Sequence, residues 1–292
     1  MCNVTNLSPP NTERPRVRKF RLGLAKAIPR FPSDKTSLQY VLEQQLGQVL
    51  VHYLNWRSRY VGIRPRAVSV EAGAQADPRW TAFSVAIKDF LDKVSQGSDL
   101  TPYLSTAPHK RGYAAAPRQG LAATNRDPWS DKDMILNTLG YHHFHLDPAT
   151  NASHAAGPNE LLFARVTRDA FSVIAIFGHE VFDLGSGDRH RLDTIHTEIA
   201  LRHAPPGSSV LKGNVVTSGH NLGVVEYADR CAYCVSAMDR QMDDPAHVKN
   251  WFAFAGLAAP KVPTFEWLFD HLDLGFWEKT KKAAFWVQKG WN

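Results

Sequence analysis

The sequence predicts an α+β fold, in which N-terminal helices pack on a central, mainly antiparallel sheet and the C-terminal part is rich in β-strands. Three observations lead to this prediction. Apolar residues recur at helical spacing between residues 37 and 95, two apolar stretches lie three residues apart near the middle, and short apolar runs separated by polar turns fill the C-terminal end. We expect residues 1–13 to be disordered, residues 14–128 to form a helical part with a long loop, and residues 129–292 to form a sheet part that continues the same domain.

Composition disfavours several classes of protein. Hydrophobic residues make up 43% of the chain and charged residues 21%, as in soluble globular proteins. No apolar run approaches the roughly 18 residues of a membrane span, and the N-terminal residues lack the pattern of a secretory signal. Three cysteines fit a reducing cytoplasm, so we expect a cytoplasmic protein that does not contact a membrane. The sequence has no P-loop, nucleophile elbow or dinucleotide-binding glycine pattern, and we expect no cofactor.

Two helices are predicted in the N-terminal part. Leucine, valine and tyrosine recur three or four residues apart from Ser37 to Arg59, and Ser37 is a suitable N-cap. A second helix is predicted from Asp77 to Ser95, with Pro78 in its first turn, where the missing amide hydrogen is tolerated. The stretch "IRPRAVSVE" between them is expected to be extended, because a residue before proline avoids helical backbone angles.

A long loop and a short helix precede the central sheet. Residues 97–129 show no sustained apolar period and are rich in glycine, alanine and proline, which indicates a loop or a flap. The following helix is predicted from Ser130 to Leu139, because Ser130 and Asp133 match the spacing of an N-terminal capping pattern.

The central block is predicted to contain three strands and a helix. The strands are "YHHFHL" (141–146), "ELLFARVT" (160–167) and "FSVIAIFGH" (171–179), and the short "RDA" connection between the last two predicts a hairpin. The stretch "GDRHRLDTIHTEIALRHAPPG" after them predicts a helix that ends at the two prolines.

The C-terminal part is predicted to be mostly β. "NLGVVEYADRCAYCVSAMD" is interpreted as a hairpin in which Cys231 and Cys234 are small apolar residues rather than a metal or redox pair. "DPAHVKNWFAFAG" predicts a helix capped by Asp244 with Pro245 at its first position. The final stretch, residues 265–290, is interpreted as two strands joined by the polar "EKTKK" turn.

The most unusual stretch is "GYHHFHLD" (140–147), which places three histidines in four positions. Because successive side chains of a strand alternate between its faces, His143 and His145 share one face. His142 joins Phe144 and Leu146 on the other, which reads as the core side.

A pair of histidines at positions i and i+2 can place two imidazoles near one phosphate or one metal ion. His179 or His196 could supply a third group, and Asp147 or Glu180 could supply the carboxylate of an iron site. The sequence has no H-E-x-x-H or comparable signature, so a metal site is incompletely specified.

Basic segments suggest a surface for a polyanion. The formal net charge is +6, which permits binding to nucleic acid without requiring it. Arginine suits phosphate oxygens and an interleaved tyrosine can stack on unpaired bases. The candidate nucleic-acid-binding residues are Arg57, Arg59, Arg64, Arg66, Lys110 and Arg111.

Residues 161–183, "LLFARVTRDAFSVIAIFGHEVFD", resemble the closing hairpin of RelE-type bacterial toxins, which are mRNA-cleaving ribonucleases with a compact sheet. The corresponding positions hold Arg165, Asp169, the apolar strand Phe171–Phe177, His179 and Phe182. The resemblance implies RNA cleavage without metal and a protein antitoxin or regulator as a partner. Residues 136–183 also resemble uncharacterised bacterial proteins, which implies no activity.

The sequence leaves three functions open. The first is a metal-independent ribonuclease, a bacterial toxin or defence protein, with His143, His145, Arg165 and His179 as catalytic residues and RNA as substrate. The second is a non-enzymatic module that binds nucleic acid or protein and has structural histidines. The third is a metal-dependent enzyme with histidine ligands. Strand register decides whether the four catalytic side chains share a face, since a slip of one residue would turn Arg165 away.

Overall fold

The computed structural model describes residues 13–114, 129, 131–146, 160–210 and 214–292 and has the α+β architecture that the sequence predicts. Internal contacts divide the chain into two compact units, each assembled from separate segments. The first unit comprises the described residues of Met1–Arg57, Arg111–Ser130 and Gly223–Gly290, and the second those of Ser58–Lys110, Asp131–Leu222 and Trp291–Asn292. This division differs from the predicted boundary near residue 128.

The elements are as follows. The helices are α1 (Pro15–Ala27), α2 (Lys35–Leu42), α3 (Leu46–Arg57), α4 (Ala72–Gln75), α5 (Pro78–Ala82), α6 (Ser84–Gln96), α7 (Ala107–Lys110), α8 (Met134–Leu139), α9 (Gly187–Leu201), α10 (Leu222–Gln241) and α11 (Pro245–Phe254). The strands are β1 (Arg30–Phe31), β2 (Ala67–Val70), β3 (Tyr113–Ala114), β4 (Tyr141–His145), β5 (Leu161–Val166), β6 (Ala170–Phe177), β7 (Phe265–Asp270), β8 (Asp273–Glu278) and β9 (Ala283–Gln288). Short 3₁₀ helices lie at Thr101–Tyr103 and His179–Phe182.

The first unit packs α1, α2, α3, α10 and α11 with an antiparallel sheet of order β7–β8–β9, and β1 pairs with β3 in parallel. Within this unit the N-terminal helix α1 packs on α2, α3 and β7. The predicted helix over residues 37–59 is two helices, and Asp34, not Ser37, is the N-cap, because its carboxylate accepts a hydrogen bond from the Ser37 amide. Residues 1–12 of the predicted disordered start lie outside the described part, whereas Glu13 pairs with Arg21.

Helix α10 corrects the predicted hairpin at residues 221–239. Its buried residues recur every three or four positions, which is the helical period, and they include Cys231. The valines, tyrosines and cysteines that suggested strands are tolerated because this face packs into the core of the unit. The C-terminal stretch contains three strands instead of two, since a second tight turn at His271 and Leu272 separates β7 from β8. The helix capped by Asp244 is confirmed.

The second unit contains a mainly antiparallel sheet of order β2–β6–β5–β4, as predicted for the centre of the chain. Strand β2 runs parallel to β6, and the β4–β5 and β5–β6 pairs are antiparallel. Helix α6 covers one face, where Phe90 packs on Phe144 and Phe171. Helices α8 and α9 cover part of the other face, around Tyr141, Phe163 and Phe177. Both faces are therefore largely buried, which explains the nearly continuous apolar runs of β5 and β6.

Other boundaries in this unit differ from the prediction in detail. The helix predicted from Asp77 is interrupted at Phe83, and the long loop contains α7 and a 3₁₀ turn. Asp133 caps α8, and Ser130, the predicted cap, lies outside the described residues. Within the described part of the chain, no helix is both long and apolar enough to cross a membrane.

Candidate functional site

The strand register places three of the predicted site residues on one face of the central sheet. Tyr141 lies opposite Arg165, and His143 lies opposite Phe163. His145 lies opposite Leu161 in the same antiparallel pair. Because side chains of directly opposed residues share a face, Arg165 projects on the same side as His143 and His145. This is the face that α8 and α9 partly cover.

His179 reaches the same face from the 3₁₀ helix that follows β6. The centroids of the His145 and His179 rings are 5.4 Å apart, and His179 is exposed while His145 is half-buried. Phe182, on the same short helix, lies against His143 and His179 with ring centroids 5.1 Å and 6.0 Å away. We call His143, His145 and His179 the histidine row, with Phe182 beside it.

The side chain of His143 is largely enclosed, with 13% of its surface exposed. Burial lowers the pKa of His143, and the nearby carboxylate of Asp133 opposes this effect only partly. The Asp133 Oδ2 atom lies 3.5 Å from His143 Nδ1, while its Oδ1 atom accepts the Leu136 amide hydrogen bond that caps α8. Asp133 therefore has two roles, and the sequence indicated only the cap. At neutral pH the lowered pKa favours an uncharged His143 ring.

Arg165 is exposed and stands at the far end of this face from the His145–His179 pair. Its guanidinium carbon lies 5.6 Å from the centre of the Tyr141 ring. Tyr141 and His145 are four residues apart on β4, which corresponds to about 13 Å along an extended strand. The structure thus places the four predicted catalytic residues on one face, but it does not bring Arg165 to the same point as His145 and His179.

The third histidine of the stretch, His142, faces the opposite side, as the alternation predicted. It is buried, and its Nε2 atom donates a hydrogen bond of 2.8 Å to the Ser58 carbonyl oxygen. Burial lowers the pKa of His142 to about 4, so the ring is neutral at physiological pH. This residue serves the core rather than a site.

The six candidate nucleic-acid-binding residues are divided between the units and differ in exposure. Arg59 and Arg66 are buried, and Arg66 donates hydrogen bonds to the carbonyl oxygens of Thr167 and Gly62. These two guanidinium groups bind the protein's own backbone, which corrects the expectation that they present charge to a partner.

The other four cations are at least partly exposed. Arg57 and Arg111 belong to the first unit, where Arg111 lies over the Phe31 ring. Arg64 and Lys110 belong to the second unit; Lys110 is exposed and Arg64 half-buried. Of the six, Arg64 and Lys110 remain candidates for nucleic-acid binding in the unit that contains the histidine row.

The described residues contain no group of three histidine, cysteine or acidic side chains arranged to hold a metal ion. Asp147, one carboxylate considered for such a site, lies outside the described part. Cys231 and Cys234 lie on α10, and burial raises the pKa of the Cys231 thiol to about 12, which fits the interpretation of a structural residue.

The site offers two imidazoles close enough to serve one reacting group, a third, largely enclosed imidazole two residues before His145 on β4, and an arginine at the other end of the face. An exposed aromatic ring, Phe182, borders the histidines. Comparisons with models of protein families, with curated proteins and with solved structures found no match to this chain.

Proposed function

We propose that the protein is a metal-independent ribonuclease that cleaves RNA with the histidine row and Arg165. The observation that supports this most directly is the shared sheet face: His143, His145 and Arg165 project from it, and His179 lies beside His145. Imidazoles exchange protons near neutral pH, and a guanidinium group stabilises the negative charge of phosphate oxygens.

The chemistry requires two proton transfers and no other reactant. One imidazole removes the proton from a 2′-hydroxyl group, whose oxygen attacks the adjacent phosphorus atom. The bond to the 5′-oxygen breaks, and a second, protonated imidazole gives that oxygen its proton, which leaves a 2′,3′-cyclic phosphate and a 5′-hydroxyl end. His145 and His179 are the pair placed to share these roles, since their ring centroids are 5.4 Å apart.

The length of the face favours an extended polynucleotide over a mononucleotide. Arg165 is separated from the proton-transfer pair by about 13 Å of strand, too far for one phosphate to contact both ends closely. A single-stranded chain can place one phosphate beside His145 and a neighbouring one near Arg165. Phe182, with 40% of its surface exposed, can stack on an unpaired base.

The proposal also includes a biological role as a bacterial toxin or defence protein, controlled by a protein antitoxin or regulator. It is supported by the resemblance of residues 161–183 to RelE-type toxins, whose arginine and histidine positions correspond to Arg165 and His179. A nuclease that cleaves cellular RNA without a cofactor needs such a control.

Incubation of the purified protein with single-stranded RNA in excess chelator tests the proposal. We expect cleavage to products with 2′,3′-cyclic phosphate ends, and a loss of about 100-fold or more in His145→Ala and His179→Ala variants. A His143→Ala/His145→Ala double variant should be inactive. His190→Ala, which removes an exposed histidine at the start of α9, is the matched control and should cleave like the wild type.

The same experiment separates the two alternatives. Intact RNA, or cleavage that is unchanged in the double variant, would reject the proposed site. Cleavage that appears only after a divalent metal is added would favour the metal-dependent enzyme. Salt-dependent RNA binding without turnover would favour a non-enzymatic binding module.

A further inference from the structure

Asp133 links the histidine row to helix α8, and it is not one of the four predicted catalytic residues. Its Oδ1 atom accepts the Leu136 amide hydrogen bond that caps α8, which leaves Oδ2 to face His143. Oδ2 lies 3.5 Å from Nδ1 of His143, and 13% of the surface of each side chain is exposed. The carboxylate is therefore held in place by the helix cap, independently of the imidazole beside it.

The two nitrogen atoms of the His143 ring differ in their surroundings. Nδ1 is buried and has no hydrogen-bond partner among the described residues, so the exposed part of the side chain does not include this atom. The distance of 3.5 Å to Oδ2 of Asp133 is longer than an ordinary hydrogen bond, but contacts of catalytic groups are often long before substrate binds and shorten in the complex. Of the two nitrogens, Nε2 is thus the one that can meet a substrate.

The carboxylate decides which nitrogen of a neutral ring carries the proton. A neutral imidazole has one N–H group and one lone pair, and a lone pair on Nδ1 would face the negative charge of Asp133. The proton therefore belongs on Nδ1, which leaves the lone pair on Nε2. Burial lowers the pKa of His143, and the charges of Arg59 and His179 lower it further, whereas Asp133 raises it. The resting ring is a neutral proton acceptor, and Asp133 stabilises the positive charge that forms when Nε2 takes up a proton.

We propose that His143 takes the proton from the attacking 2′-hydroxyl group and that Asp133 is the residue that positions it. The inference rests on the proposed function and refines the division of its two proton transfers. As the bond from the 2′-oxygen to phosphorus forms and the bond to the 5′-oxygen breaks, His143 gains one proton on Nε2 and the His145–His179 pair gives one to the leaving oxygen. His143 and His145 are two residues apart on β4, about 7 Å along the strand, so a phosphate fits between the acceptor and the donors.

The kinetics of cleavage of a short single-stranded RNA in excess chelator test this assignment. We expect His143→Gln to lower kcat about 100-fold. Asp133→Asn should lower kcat by a similar factor with little change in KM, because the new amide nitrogen donates to Nδ1 and moves the ring proton to Nε2. Asparagine caps a helix as well as aspartate does, so this variant keeps the fold. In the double variant kcat should fall no further than in His143→Gln, since Asp133 acts through His143.

Asp244→Asn is the matched control for the Asp133 substitution. Asp244 caps α11 through the Ala246 amide, and its Oδ2 atom lies 2.9 Å from Nδ1 of His247. The same combination of helix cap and imidazole contact thus occurs in the first unit, which contributes no residue to the histidine row. We expect this variant to cleave RNA like the wild type.

Nitrogen NMR of His143 supplies a second readout that a purely structural role of Asp133 would not change. We expect the neutral ring to carry its proton on Nδ1 in the wild type and on Nε2 in Asp133→Asn, and to titrate at lower pH in the variant, because the charge that raises its pKa is gone. If the wild type cleaves RNA, then a wild-type proton on Nε2, an Asp133→Asn variant as active as the wild type, or additive losses in the double variant would overturn this inference alone. Intact RNA with the wild type would reject the proposed function and the role of His143 with it.

Discussion

The buried His142 should make the free energy of unfolding depend on pH. Its ring lies on the core face of β4, where Nε2 donates to the Ser58 carbonyl oxygen. Burial lowers the pKa to about 4 from an ordinary value of 6.5, against opposing contributions from Ser58 and Asp133. The neighbouring His143 and Arg66 add to the lowering. The folded protein therefore excludes a proton that the unfolded chain takes up.

The magnitude follows from proton linkage. A shift of one pKa unit corresponds to about 1.4 kcal/mol, so His142 can account for about 3 kcal/mol of pH-dependent stability. This stability is fully present above the unfolded pKa of 6.5 and is lost as the pH falls towards 4. Between about pH 7 and about pH 5, the loss attributable to this residue is about 2 kcal/mol.

Comparison of the wild type with His142→Gln isolates this contribution. Glutamine can donate to the same carbonyl oxygen but does not titrate, and all other ionisable groups, including the neighbouring His143, are common to both proteins. We expect the wild type to lose about 2 kcal/mol more than the variant between the two pH values in urea unfolding. NMR signals from Leu162 and Val173 report on the sheet of this unit. Equal losses, or a wild-type His142 that titrates near its ordinary pKa, would refute the reasoning.

Three further changes test the packing of the two units. Gly97→Ala should destabilise the protein by about 2 kcal/mol or more in thermal unfolding, because Gly97 has a φ of +73° and an added Cβ would lie 2.4 Å from the Pro65 nitrogen. Asp239→Asn should cost about 2 kcal/mol in urea unfolding, because the buried carboxylate binds two arginine side chains and the Trp267 indole nitrogen. In a Cys2→Ser background, Cys231 should react slowly with a thiol reagent at mildly alkaline pH, because burial raises its pKa to about 12.

Each of these changes has a matched control in the same unit. Gly73→Ala introduces a Cβ with no heavy atom within 4 Å inside α4, and should be neutral or stabilising by up to about 1 kcal/mol. Asp243→Asn removes a half-exposed partner of the same arginines and should cost less than about 1 kcal/mol. Cys234, which is half-buried, should react before Cys231. A control variant that loses as much stability as its partner variant would contradict the corresponding argument. So would a Cys231 that reacts as fast as Cys234.

Elements with a strong local signal could be predicted from the sequence. The β5–β6 hairpin, the histidine strand and the helix capped by Asp244 form where the pattern places them, because their local signals agree with their burial. Helix α10 was mistaken for a hairpin because Val224, Tyr227 and Cys231 are residue types enriched in strands or cores. Their spacing of three and four residues was the better indicator, and packing decided the outcome.

The division into units could not be read from the sequence, since each unit joins segments that are far apart in the chain. Arg57 and Arg64 belong to one basic stretch of the sequence, and Lys110 and Arg111 are adjacent. In each case the first unit contains one residue and the second unit the other: Arg57 and Arg111 lie in the first, Arg64 and Lys110 in the second. Whether a guanidinium group faces solvent or binds a backbone carbonyl, as Arg66 does, depends on the fold of its surroundings rather than on the local sequence.

The position of His179 beside His145 in the histidine row depends on one further feature that strand alternation does not reveal. Counting from Ser172, which lies opposite Arg165, simple alternation would turn Ile176 towards the histidines and Phe177 away from them. A bulge between Phe163 and Ala164 of the β5 register places one extra residue, Ile174, in β6. Beyond it, Phe177 lies opposite Leu161, on the side of His145, and the chain enters the 3₁₀ helix of His179 on that same side. A register without the bulge would leave the alternation intact and direct this segment to the α6 face, so the proximity of His179 to His145 is a consequence of a single inserted residue.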